Sequence, residues 1–191
     1  MHPMRSTRCA ATLNERLDPL PGDHLVPDAV LCATHAICIE ASPEHVWPWL
    51  AQMGAGRGGW YSHDWLAGRA ARSADRLIPG VKDLSVGDVI PGTPDGTPGF
   101  VVSHVKPPHE LVLLWPSHDF EAASASWAFV LRASPDGRRT RLLVRARPAS
   151  QSWLYQPPRP APICSSHGQT RSGGASMQIA CVAQSTASGT R

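Results

Sequence analysis

Apolar and polar positions follow two distinct periods along this chain, and their changes mark out one folded region. From Val30 to Glu40 the residues alternate, with Leu31, Ala33, Ile37 and Ile39 on one face and His35 the exception among them, as in a half-buried strand. Ser42-Pro43-Glu44 then offers an N-cap hydroxyl, a proline at the first helical position and an acid in the first turn. The helix so opened carries Val46, Leu50 and Met53 on one stripe with Trp47 beside it, and Gly54 supplies a stop. Pro48 inside it removes one backbone donor, which predicts a kink or a regular part that begins near Trp47.

A glycine-rich stretch, Gly54 to Gly59, leads into Trp60 to Leu66, a segment compatible with a second short helix. Further strands are expected at Asp88 to Pro91, Gly99 to Val105, Glu110 to Trp115, Ser126 to Arg132 and Thr140 to Arg147. Pro94-Asp95-Gly96, Pro107-Pro108 and Ser134-Pro135-Asp136-Gly137 separate them with turn chemistry. Connections this short require antiparallel neighbours, because a parallel return needs a crossover. The expected class is α+β, with one strand, one or two short helices and then an antiparallel meander.

Outside this region the pattern fails. Residues 1–29 mix Pro, Asp, Arg and His without a period and read as an extended arm ending in the turn Leu20-Pro21-Gly22-Asp23. Residues 148–191 hold no Asp, Glu or Lys and are dominated by Pro, Ser, Gly, Gln and Thr, the composition of a disordered, low-complexity tail.

Composition narrows the function. The chain has 191 residues, room for one domain, and a formal charge of +3, too small for the concentrated basic face that nucleic acid requires. Five cysteines, an odd number with no CxxC pair, suggest neither a disulfide framework nor a zinc site and fit a reducing cytoplasm. No apolar run reaches signal-peptide or membrane-spanning length. Among nine histidines, His104, His109 and His118 show no ligand spacing, so no metal is expected, and no cofactor.

Thr34-His35-Ala36-Ile37, Ser42 to Leu50, Gly56 to Ser62, Asp64-Trp65-Leu66, Ala74-Asp75-Arg76, Val86-Gly87-Asp88 and Trp127 to Leu131 form a set of motifs. Together they resemble bacterial SRPBCC proteins, the START/Bet v 1-like, polyketide cyclase/dehydrase and lipid transport superfamily. The resemblance covers about Pro21 to Arg147. It implies a helix-grip fold, in which a curved antiparallel sheet wraps a long C-terminal helix and a hydrophobic ligand lies between them. The sequence departs from it after Arg147, where Pro157, Pro158, Pro160 and Pro162 oppose a helix. The gripping helix is therefore expected to be missing or replaced, as an altered reading frame would produce.

Candidate chemistry follows from these placements. Trp60, Tyr61 and Trp65 beside the glycine-rich stretch are candidates for the mouth of an apolar pocket: ordinary packing of a short helix on the sheet is the favoured role for any one of them, with at least one expected to touch a ligand, while Asp64 is read as capping local backbone or pairing with Arg57 ahead of accepting from a ligand hydroxyl. Phe100, Leu113, Trp127 and Phe129 are expected on its sheet wall, as core residues first and ligand contacts second. Gly54 to Gly59 matches GxGxxG, but a helix enters it where a dinucleotide site needs a strand, so it reads as a flexible connection or mobile gate. Arg141, Arg145 and Arg147 share one face of the last strand and read as a solvated stripe. No catalytic residue is singled out, although Tyr61, His63, Asp64 and His104 are the acid–base candidates. The resemblance implies a lipid, polyketide or related metabolite as ligand, or an aromatic cyclase or dehydratase as the alternative, and the residues themselves favour non-covalent binding over a reaction, with an inactive, frame-altered copy as a further reading.

Overall fold

The computed structural model describes residues 10–61, 73–92, 99–117 and 123–150. Within them six strands form one antiparallel sheet: β1 (Ala33–Ile39), β2 (Val89–Pro91), β3 (Gly99–Lys106), β4 (Glu110–Pro116), β5 (Ala123–Ala133) and β6 (Thr140–Pro148), in spatial order β1-β6-β5-β4-β3-β2. The fold is α+β and dominated by this sheet. Every expected strand is present within a few residues of its sequence bounds, and all pair as antiparallel neighbours. β1 closes on β6 with Ala33 opposite Ala146 and Ile39 opposite Thr140.

One face of the sheet packs against the helix α2 (Pro43–Ala51). Ile37 and Ile39, Leu142 and Val144, Trp127, Phe129 and Leu131, Leu111, Leu113 and Trp115, Phe100 and Val102, and Ile90 join Val46, Trp49, Leu50 and Met53 in one buried cluster. The period-2 alternation of each strand delivers these residues to the same side, and register stacks them: Leu113 lies opposite Trp127, and Phe129 opposite Val144. The helix starts at Pro43 and runs through Pro48 to Ala51, so the proline does not displace its start. Ser42 is the N-cap residue, yet its hydroxyl bonds the His45 ring at 3.0 Å in place of backbone.

The opposite face carries the main departure from the sequence reading. Residues 10–29 are a folded strap, with the helix α1 (Leu13–Leu17) capped by a reciprocal Thr12–Glu15 capping box, followed by a 3-10 turn at Asp23–Leu25. Ala11 and Leu20 pack on Ala36, Val130 and Leu143 in a second small cluster. Arg141, Arg145 and Arg147 are not a solvated stripe but the attachment of the strap. Arg141 grips the Glu15 carboxylate through Nε and Nη2, both at 2.8 Å, and Arg147 donates to the carbonyls of Val26 and Pro27. Arg145 is 3 % exposed and serves five acceptors: Thr34 Oγ1, Asp23 Oδ2 and the carbonyls of Glu15, Arg16 and Asp18. Three of these are carbonyls at the end of α1, which has no following turn to satisfy them. Alternation had placed the arginines on one face correctly, but no period in residues 1–29 announced what would cover them.

This strap explains why β5 is buried on both faces from Ala125 to Leu131. No helix among the described residues is long and apolar enough to cross a membrane. The tail beyond Ser150 lies outside the described residues.

Candidate aromatic site on the α2 face

The site is built where β3, β4 and β5 bring alternating aromatic residues into register beneath the segment that leaves α2. Phe100 and Trp115 meet edge to face with centroids 4.7 Å apart, Trp127 and Phe129 are 4.8 Å apart, and Phe100 and Trp127 are 5.8 Å apart. Trp60 descends from the loop onto this group, stacked on Trp127 at 6.0 Å and 19° and tilted against Phe100 at 5.2 Å. Its indole N–H donates to the Gly92 carbonyl at 3.1 Å, and it is only partly buried. Such pairs contribute about 0.5–1.5 kcal/mol each beyond their buried area.

Of the sequence candidates, Trp60, Phe100, Trp127 and Phe129 therefore come together, with Leu113 beside them opposite Trp127. Trp115 completes the group, and its position two residues from Leu113 on the same face was legible in the alternation. Asp64 and Trp65, with His63, lie outside the described residues. Trp60 and Tyr61 are not helical, in contrast to the short helix expected there.

Tyr61 is placed differently from Trp60. Its backbone is left-handed at φ 49°, which turns the ring away towards α2, where it meets Trp49 edge to face at 6.1 Å. It is fully enclosed: the Gln52 amide donates to its hydroxyl oxygen, and its own N–H donates to Ser73 Oγ at 3.0 Å. Burial pushes the phenol up to about 12, partly offset by that amide. Gln52 also accepts from the Ile78 N–H at 3.0 Å, so one buried amide ties the end of α2 to Tyr61 and the segment after Ser73. A glutamine at a helix end gave no sequence signal of this role.

The glycine-rich stretch is not a flexible connection. Gly54 and Gly59 exchange backbone hydrogen bonds at 3.1 and 3.0 Å, Gly58 donates to the Gln52 carbonyl at 2.7 Å, and Ala55 to Pro91 at 3.0 Å. The N–H groups of Gly54, Ala55, Arg57, Gly58 and Gly59 are thereby spent inside the protein, which removes most of the donors a phosphate cradle would offer. Arg57 donates to the carbonyls of Ala51 and Lys82.

His104 is removed from the site by a bulge. Phe100 and Val102 point to the α2 face, and simple alternation would send His104 there too. The register of β3 against β4 shifts between Val102 and His104, so His104 falls opposite Val112 on the strap face and bonds Glu110 at 2.7 Å. Among the described residues no three His, Cys, Asp or Glu side chains are grouped to hold a metal ion.

No family model and no curated protein matches the chain. Solved structures align with it at low identity. An HSP90 activator from Plasmodium falciparum, PFC0360w, is 15% identical with a TM-score of 0.39 over 64% of this chain and 78% of that one. Protein Ms6760 from Mycobacterium smegmatis is 16% identical with a TM-score of 0.41 over 83% of this chain and 92% of that one. Protein MLL2253 from Mesorhizobium loti is 17% identical with a TM-score of 0.42 over 84% of this chain and 99% of that one. At these scores the likenesses carry no functional argument.

Proposed function

We propose that this domain binds a small hydrophobic molecule, a lipid, polyketide or related metabolite, without covalent chemistry, in the manner of helix-grip proteins. The observation that carries the reading is the Trp60–Trp127 pair. Trp127 stands on the rigid sheet, whereas Trp60 comes from a connecting segment and holds its place through one indole hydrogen bond to Gly92 and ring stacking. Displacing Trp60 uncovers the indole face of Trp127, with the rings of Phe100 and Phe129 tilted against it at 48° and 45°, and an intruding planar or chain-like apolar group replaces the stacking that Trp60 gives up.

Of the four acid–base candidates, the two among the described residues, Tyr61 and His104, favour binding over catalysis. Tyr61 is enclosed, with its proton held more tightly than a free phenol, and His104 faces the other side of the sheet. A general acid or base must reach the substrate, and neither side chain faces the Trp60–Trp127 stack.

Native mass spectrometry of gently purified protein, paired with titration of tryptophan fluorescence by fatty acids and polycyclic aromatics, tests the proposal. The expected result is an apolar adduct or saturable quenching that weakens in Trp60→Ala. A protein repeatedly empty and unresponsive to every probe overturns it.

A further inference from the structure

The Trp60 indole N–H is spent on one acceptor, the backbone carbonyl of Gly92, at 3.1 Å. That acceptor is built into the sheet edge. Gly92 is buried and follows β2 directly, where Ile90 pairs with Phe100 and the Pro91 carbonyl takes the Ala55 N–H at 3.0 Å. The strand ladder offers no donor in the place of Trp60, because the pairing of β2 with β3 ends at Pro91 and Gly99, and the residue before Gly99 is Pro98, which has no N–H. Trp60 rests on Phe100 at 5.2 Å and on Trp127 at 6.0 Å, so ring faces and a single acceptor meet at one place. A molecule that parts Trp60 from Trp127 also draws the indole N–H off this carbonyl, and a buried acceptor costs free energy until another donor serves it.

We propose that the Gly92 carbonyl is the polar determinant of the ligand site, and that the preferred ligand is a flat aromatic molecule with one N–H or O–H donor on its edge, seated between Trp127 and a lifted Trp60. This rests on the binding reading given above and adds to it the group that sets specificity. The Trp60 indole is the pattern for such a ligand: it meets Trp127 with its ring face and the carbonyl with an edge donor, and a ligand that supplies both replaces both interactions. A carbonyl oxygen accepts and cannot donate. An edge that carries only acceptors, such as an ether oxygen or an ionised carboxylate, therefore leaves Gly92 unserved and sets lone pair against lone pair. Trp60 then closes the outer face of the ligand, and because its side chain is only partly buried its released N–H reaches water.

Carbazole and dibenzofuran share one planar shape and differ by a ring N–H against a ring oxygen, so they test the donor alone. Their binding to the full chain, followed by quenching of tryptophan fluorescence, reads the preference. Nitrogen–proton correlation spectra of isotope-labelled protein read the place, with the Trp60 indole resonance identified by its loss in Trp60→Phe. The wild type is expected to bind carbazole about tenfold tighter than dibenzofuran, in keeping with the cost of an unserved buried acceptor. Carbazole should also shift the Trp60 indole resonance and open its proton to exchange with water. Equal binding of the two compounds, or carbazole binding that leaves that resonance in place, overturns the role of Gly92 while leaving the binding reading standing. If neither compound binds, the role of Gly92 falls, and if fatty acids are silent as well, the binding reading falls with it.

Discussion

Arg145 on the final strand donates to Asp23 at 2.6 Å across 122 residues of sequence, and this pair closes the strap over the sheet. All five guanidinium N–H groups are engaged, which a planar fork does and an ammonium cannot. Removing the side chain takes the nearest cation from the Asp23 carboxylate, which keeps the Leu20 N–H and the more distant Arg147, and leaves three helix-end carbonyls without their donor. Arg145→Ala is therefore expected to cost about 3–5 kcal/mol, and Arg145→Lys to recover less than half of that. Urea denaturation of the three proteins measures it, and a Lys variant as stable as the wild type would remove the case for the fork.

Acid should destabilise the fold in a defined order. His35 has its folded pKa depressed, so the unfolded chain takes up a proton more readily, and stability falls as pH drops below about 6.5. Glu15 is held at about 2, chiefly by the hydrogen bonds from Arg141. Its contribution is complete above the unfolded value of about 4.5 and is lost as pH falls from there towards 2. Glu15→Gln should flatten the stability curve between pH 4.5 and 2 while leaving the loss below 6.5 intact. Thermal melts across pH 2–8 check both windows, and an unchanged acid limb in Glu15→Gln would show that other carboxylates dominate it.

The sequence exposed the strands, α2 and the aromatic wall because each depends on local periodicity and turn chemistry. Phe100, Leu113, Trp127 and Phe129 fall on one face simply by alternation, and register does the rest. It did not expose features that hang on contacts between distant segments. The strap is held by guanidinium groups more than a hundred residues away, and His104 turns on a single bulge that alternation does not reveal. Likewise the glycine-rich stretch looks mobile by composition and is fixed by hydrogen bonds to Gln52 and Pro91.

Those bonds give the glycines unequal weight. Gly59 adopts φ 81° and a Cβ there would lie 2.8 Å from the Ser73 Cα, whereas Gly56 has a similar φ of 72° and open space around it. Gly56→Ala should cost about 1 kcal/mol, the left-handed penalty alone, and Gly59→Ala distinctly more because backbone must move. The two melting curves decide it. Equal losses would mean that the segment after Ser73 yields freely and does not pin the loop.

Trp60 and Trp127 stack as partners but should behave oppositely when removed. Trp127 is 7 % exposed and surrounded by Phe100, Phe129 and Leu113, so Trp127→Ala opens a core cavity and is expected to cost about 3–5 kcal/mol. Trp60 lies at the surface of the same cluster and loses one hydrogen bond and part of its ring contact, about 1–2 kcal/mol. A residue retained for binding should show the reverse order in ligand affinity per unit of stability lost: Trp60→Ala should weaken apolar ligand binding at least about tenfold, a loss of about 1.4 kcal/mol, while the fold persists. Denaturation and ligand titration on the same Trp60→Ala sample separate the two effects. Unimpaired binding would reduce Trp60 to a packing residue and move the site elsewhere on the α2 face.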